Sequence, residues 1–169
     1  MKTFKEYLHS VDACQPAIEW AGDKPVEQVV AECHRGDWLL WLAQKCGVEL
    51  QPLTLAKGHC ANTVRHLMTD KRSTRAVDVA IAFGKGRATR EELDTAADAS
   101  AAAAYAAAYA AAYATAADAS AASAAADASA AADASAASAA AANRQETADI
   151  CRKYIGELII QKVTQTPNP

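Results

Sequence analysis

The sequence predicts an all-α fold: a single-domain helical bundle of about 7–8 helices, with a long alanine-rich helix or antiparallel helix pair. Three observations predict it. Between Ala96 and Ala142 about seven positions in ten are alanine, broken by Asp, Ser, Thr and three tyrosines, and alanine is the best helix former. No Gly or Pro occurs between Arg87 and Ile155, so nothing local stops a helix there. Outside the tract, apolar residues recur at helical spacing, and the stretch Val48–Leu53, the one candidate for extended chain, is too short to build a sheet.

From the amino terminus, a first helix is expected over Thr3–Val11, with Phe4, Tyr7, Leu8 and Val11 on one face. Pro16 and Pro25 read as first-turn prolines, opening helices that run through Trp20 and Cys33. Gly22 and Gly36 read as breaks. Asp37 precedes the apolar run Trp38-Leu39-Leu40-Trp41-Leu42, where its carboxylate is placed to cap the helix, and Gly47 closes that helix. Thr54 is expected to cap a helix to about Met68, and Ser73 another to about Phe83.

Gly84 and Gly86 make the clearest boundary, and Thr89-Arg90-Glu91-Glu92 behind them has the pattern of a capping box. A single straight helix from Arg90 to Ala142 would be about 80 Å long, whereas a compact chain of this length has a radius of gyration of about 15 Å. Either the helix breaks into an antiparallel pair, most readily at Thr115–Asp118, or it projects and needs a partner. Against a break, Asp98, Tyr105, Tyr109, Tyr113, Ser120, Ser123, Asp127 and Ser138 keep phase in one stripe. Asn143-Arg144-Gln145-Glu146 reads as a second box opening a terminal helix to Val163, with Ile150, Tyr154, Ile155, Leu158 and Ile159 on its apolar side. The expected organisation is one domain over 1–163, divided into 1–86, 87–142 and 143–163, with 164–169 a flexible tail.

The chain has 169 residues, a net charge of −3, and 51% hydrophobic residues. Much of that fraction is alanine, whose methyl contributes about 0.8 kcal/mol on burial against about 1.5–3 for Leu, Ile or Phe. The larger apolar residues before Gly86 and after Asn143 must therefore anchor the core. The charge provides no field for holding a nucleic-acid backbone. Asp98, Asp118, Asp127 and Asp133 interrupt the alanine tract, and each would cost about 2.5–3.5 kcal/mol near a bilayer centre, so no membrane partner is expected. Five widely spread cysteines, without an export signal at Met1–Trp20, suggest reduced thiols in a cytoplasmic protein.

Catalytic chemistry has no recognisable carrier here. Cys33-His34, His59-Cys60 and His66 contain metal-ligand types, but neither CxxC nor HExxH spacing occurs, and neighbouring residues on a helix point about 100° apart. No metal, no cofactor and no catalytic residue is expected, and the protein reads as a non-enzyme. Threonine lacks the regular spacing of the alanine-rich fish antifreeze helices.

Two groups remain as candidate binding sites. Tyr105, Tyr109 and Tyr113, four residues apart, stack three phenols along one helix side, with Asp98 and Asp127 in the same stripe. They form either a recognition strip or a packing face. The alternative is a ligand pocket built from Arg35, Trp38, Trp41 and Arg75, whose indoles have a competing reading as core. Arg75 and Asp78 are spaced to form a surface pair.

Ala13-Cys14-Gln15 with Glu19-Trp20-Ala21-Gly22, Cys33 through the run Arg35-Gly36-Asp37-Trp38-Leu39-Leu40-Trp41-Leu42, Arg75-Ala76-Val77 leading to Gly86, and Ala88-Thr89 before the alanine tract together resemble the immunity-five-like family of bacterial and phage immunity proteins. The likeness extends over nearly the whole chain, and Gly36–Leu42 is its most specific part. It implies a protective protein of a bacterial or phage conflict system that acts by binding a protein toxin or effector, without catalysis. A small-molecule binder, for instance of a nucleotide signal, and a structural homo-oligomer pairing through alanine faces are the alternative readings.

Overall fold

The computed structural model describes residues 3–102 and 141–165. The tyrosine ladder, Asp127, the Thr115–Asp118 break and the choice between one long helix and a pair lie outside the described residues. Within them every regular element is helical, and the fold is all-α.

Local capping chemistry explains several of the helix ends. Helix α1 (Phe4–Ser10) starts at Thr3, whose hydroxyl accepts from the Glu6 amide at 3.2 Å while the Glu6 carboxylate accepts from the Thr3 amide at 2.7 Å. Helix α2 (Gln15–Ala21) carries Pro16 in its first turn and stops at Gly22, whose φ of +55° suits a residue without a Cβ. Helix α3 (Val26–Glu32) follows Pro25, which is the N-cap and not the first helical residue.

Helix α4 (Gly36–Lys45) corrects two expectations. Gly36 is its first residue and not a break: a Cβ there would lie 2.5 Å from Thr147 Oγ1, so only glycine lets the two helices approach. Asp37 consequently lies inside the first turn, and Arg35, which makes no side-chain cap, holds the N-cap position.

Helix α5 (Leu50–Asn62) overturns the extended reading of Val48–Leu53. Pro52 falls in its first turn, where a missing N–H leaves no helical bond unmade. Thr54 is a buried residue inside this helix and caps nothing. The helix also ends before Met68, and a 3-10 turn at Arg65–Leu67 follows. Helix α6 (Lys71–Gly84) is capped by Asp70, which accepts from the Arg72 amide at 2.8 Å, and not by Ser73.

Helix α7 is described over 90–102, and the Thr89–Glu92 box opens it as expected, with bonds of 2.7 and 3.2 Å. Helix α8 is described over 141–165, so Asn143 lies within it and is not a cap. The Asn143 amide instead donates to Thr63 Oγ1 at 2.7 Å. The helix continues past Val163 to Gln165, with the Thr164 hydroxyl donating to the Ile160 carbonyl at 2.8 Å, so residues 164 and 165 are not a tail.

Helix α8 is the central element. Its buried positions Ala148, Cys151, Ile155 and Ile159 pack among Val30, Cys33, Leu39, Leu42, Ala43, Leu53 and Ala56 from α3, α4 and α5. Ile150, Tyr154 and Leu158 flank that stripe and are half-buried. A π-helical turn at Arg152–Gly156 interrupts α8. There Gly156 passes Val30, and the Arg152 guanidinium donates to the Cys33 carbonyl at 2.6 Å, satisfying an orphan acceptor at the end of α3.

Candidate functional site

The first four helices leave a cavity of about 370 Å³ on one side of this core. Phe4 and Leu8 of α1, Ala17, Trp20 and Ala21 of α2, Val29 of α3, and Trp38, Leu39, Trp41 and Leu42 of α4 supply its apolar wall. Asp12, Cys14, Cys33 and Asp37 complete the lining. The volume falls in the range of about 300–1,000 Å³ usual for small-molecule sites, which are likewise mostly apolar with a few polar groups.

Periodicity places these side chains. On α4, Gly36, Leu39, Leu42 and Ala43 take the buried stripe, which turns Trp38 and Trp41 to its flank, where both are half-buried. The indoles thus pack against the core with one part and line the cavity with another. Trp20 meets them from α2: its ring centroid is 6.1 Å from that of Trp38, and 5.8 Å from His34 in an edge-on arrangement.

Each indole also carries a cation over its ring. Lys24 Nζ lies 4.2 Å from the Trp20 centroid, the Arg35 guanidinium carbon 4.6 Å from Trp38, and Lys45 Nζ 5.6 Å from Trp41. Lys24 is shared with Glu32 at 3.0 Å. Arg35 clasps Asp37 through two bonds of 3.1 and 2.6 Å, and that guanidinium holds the Asp37 carboxyl below the usual carboxylate range. Burial pushes the Cys33 thiol up, and its Sγ donates to the Arg35 carbonyl at 3.4 Å. Cys14 is exposed.

Of the four residues read as an alternative pocket, Trp38 and Trp41 line this cavity and Arg35 stands over Trp38. Arg75 is not among the lining residues: it belongs to α6, and at the start of α7 the Glu92 carboxyl is held below its usual range first by its bonds with Thr89 and only then by the charge of Arg75. Nor does Arg75 take Asp78, whose carboxylate pairs with Arg65 at 2.6 and 2.9 Å. Asp98 is an exposed residue of α7; Tyr105, Tyr109, Tyr113 and Asp127 lie outside the described residues. Sequence reasoning missed Trp20, Phe4 and Cys14 as pocket residues. The resemblance motifs containing Cys14 and Trp20 were the available signal. Among the described residues, no three His, Cys, Asp or Glu side chains gather closely enough to hold a metal ion.

No protein-family model matches the chain, and no curated protein or solved structure matches it significantly. Among the described residues, no helix is long and apolar enough to cross a membrane.

Proposed function

We propose that the protein is a non-catalytic binding protein whose α1–α4 cavity takes a small apolar molecule with an aromatic part. The observation that carries this reading is the convergence of Trp20, Trp38 and Trp41, from two helices, on one apolar space of ligand size. Offset or edge-on contact with an aromatic guest adds about 0.5–1.5 kcal/mol beyond area burial. The polar groups beside the cavity are engaged with one another, Arg35 with Asp37 and Lys24 with Glu32, which favours a guest held by shape and apolar contact over a charged one. Native mass spectrometry of the protein purified from its own cells tests the reading. One bound molecule, lost when Trp38 is replaced by alanine, supports it; a wild-type protein that carries nothing and takes up no aromatic compound on soaking contradicts it.

The resemblance to immunity-five-like proteins supports a second reading, in which the chain neutralises a protein toxin along the Tyr105, Tyr109 and Tyr113 strip. Co-expression with the cognate toxin distinguishes the two. Protection that survives Trp38→Ala but fails when the three tyrosines become alanine favours the toxin.

A further inference from the structure

Away from the cavity, two thiols meet where α5 crosses α8. Cys60 Sγ and Cys151 Sγ are 3.7 Å apart across 91 residues of sequence. Cys151 is fully buried, whereas Cys60 is half-buried. Each sulfur also touches a main-chain acceptor: Cys60 the Thr147 carbonyl at 3.7 Å, and Cys151 the Gly36 carbonyl at 3.5 Å. An isolated core cysteine behaves as a small hydrophobe. Two in contact, one of them only half-buried, form a dithiol.

We propose that Cys60 and Cys151 are a peroxide-responsive pair that closes to a disulfide joining α5 to α8, with Cys60 attacking first and Cys151 resolving. The Cys60 thiolate attacks one oxygen of hydrogen peroxide; the S–O bond forms, the O–O bond breaks, and the departing hydroxide takes up the proton that Cys60 released. The Cys151 sulfur then attacks the Cys60 sulfur. The S–S bond forms, the S–O bond breaks, and the leaving hydroxide departs as water with the Cys151 proton. Two thiols lose two electrons, and one peroxide becomes two waters.

The order follows from placement. Cys60 is the less buried of the two, the side from which a small oxidant would approach, and the thiol hydrogen bond from Cys151 draws the Cys60 thiol below its ordinary value. The hydrogen bond with Cys60, then burial and the neighbouring Cys60 and Cys33, push Cys151 the other way, so it keeps its proton until the second step. Bond formation requires the sulfurs to come about 1.7 Å closer, to a normal disulfide length. The resulting bridge closes a loop that contains the whole alanine tract. Such a long loop restricts the unfolded chain strongly, which corresponds to a rise in Tm of about 5–15 °C for a protein of this size.

The experiment treats the full-length protein with near-stoichiometric hydrogen peroxide, blocks free thiols in denaturant, and maps the peptides without reduction. The expected product is a monomer in which the Cys60 and Cys151 peptides are linked, which melts higher and is restored by dithiothreitol. Cys151→Ala should stop at a sulfenic acid on Cys60 that dimedone traps, and Cys60→Ala should leave Cys151 unoxidised. A Cys33–Cys151 link, oxidation confined to Cys14 and Cys46, or cross-links only between molecules would overturn the proposal. Circular dichroism checks that each variant is helical, and if one is not, the wild-type peptide map decides alone.

Discussion

The two helix layers that flank α8 are built from opposite kinds of residue. Between α5 and α6 the spacers are glycines: a Cβ at Gly84 would lie 2.4 Å from Leu55 Cβ and 2.7 Å from its Cα, and one at Gly58 would lie 2.9 Å from Ile81. Between α2 and α4 the spacers are indoles, and about 370 Å³ is left open beside them. Small residues let backbones close on each other until no space remains, whereas large rings hold helices apart and leave gaps at their edges. The contrast separates a region specified by contact from one that has room for a guest.

Gly84→Val should break the first region outright. Its new methyl groups meet main-chain atoms that cannot move aside, and a loss of at least about 3 kcal/mol is expected in urea unfolding. Arg152→Ala acts where the regions join. It strips the Cys33 carbonyl of its 2.6 Å donor and should cost about 2 kcal/mol by the same measurement. An unfolding free energy unchanged within about 0.5 kcal/mol would show that water replaces the guanidinium freely.

His59 provides a pH-dependent probe of the tight region. Its ring stacks on Tyr154 at 4.7 Å and an interplanar angle of 6°, with Nε2 buried and unpartnered. Burial, then Lys85 and Lys153, lower its pKa from the ordinary 6.5. The folded state thus binds the proton less readily than the unfolded chain, so stability rises with pH across this titration. The contribution is complete above pH 6.5 and disappears as pH falls through the lower folded-state value. His59→Phe should flatten that segment of the stability curve measured by thermal melts, while carboxylate losses at lower pH persist. The smallest effect is expected in the open region. Ala17→Leu places its added carbons in the cavity, and the change in unfolding free energy should stay below about 1 kcal/mol.

Legibility followed the range of the interaction. The box at Thr89, Pro16 in a first turn and Gly22 at a helix end are decided within a few residues, and each could be read directly, whereas Thr3, expected inside the first helix, is its cap. Thr54 and Asn143 carry the same cap chemistry, but burial within α5 claims the first and Thr63 claims the second. Asp78 illustrates the same failure: a partner three residues away on its own helix loses to Arg65 on the other side of a turn. Trp38 and Trp41 were legible as an aromatic group. Their cavity was not, because its far wall comes from α1 and α2 and exists only after packing. The Cys60–Cys151 contact has no local signature at all, since residues 91 positions apart are matched only by tertiary structure.

Titration of the protein with N-phenyl-1-naphthylamine, a neutral aromatic probe, tests the cavity most directly, with tryptophan quenching and probe emission read together. The wild type should bind one equivalent saturably, Ala17→Leu should weaken binding at least about tenfold while its unfolding free energy changes by less than about 1 kcal/mol, and Leu67→Ala, at a side chain 68% exposed and outside the cavity lining, should bind as the wild type does. A wild type that fails to bind, or an Ala17→Leu variant that binds equally well, would contradict the assignment of the α1–α4 cavity as a ligand site.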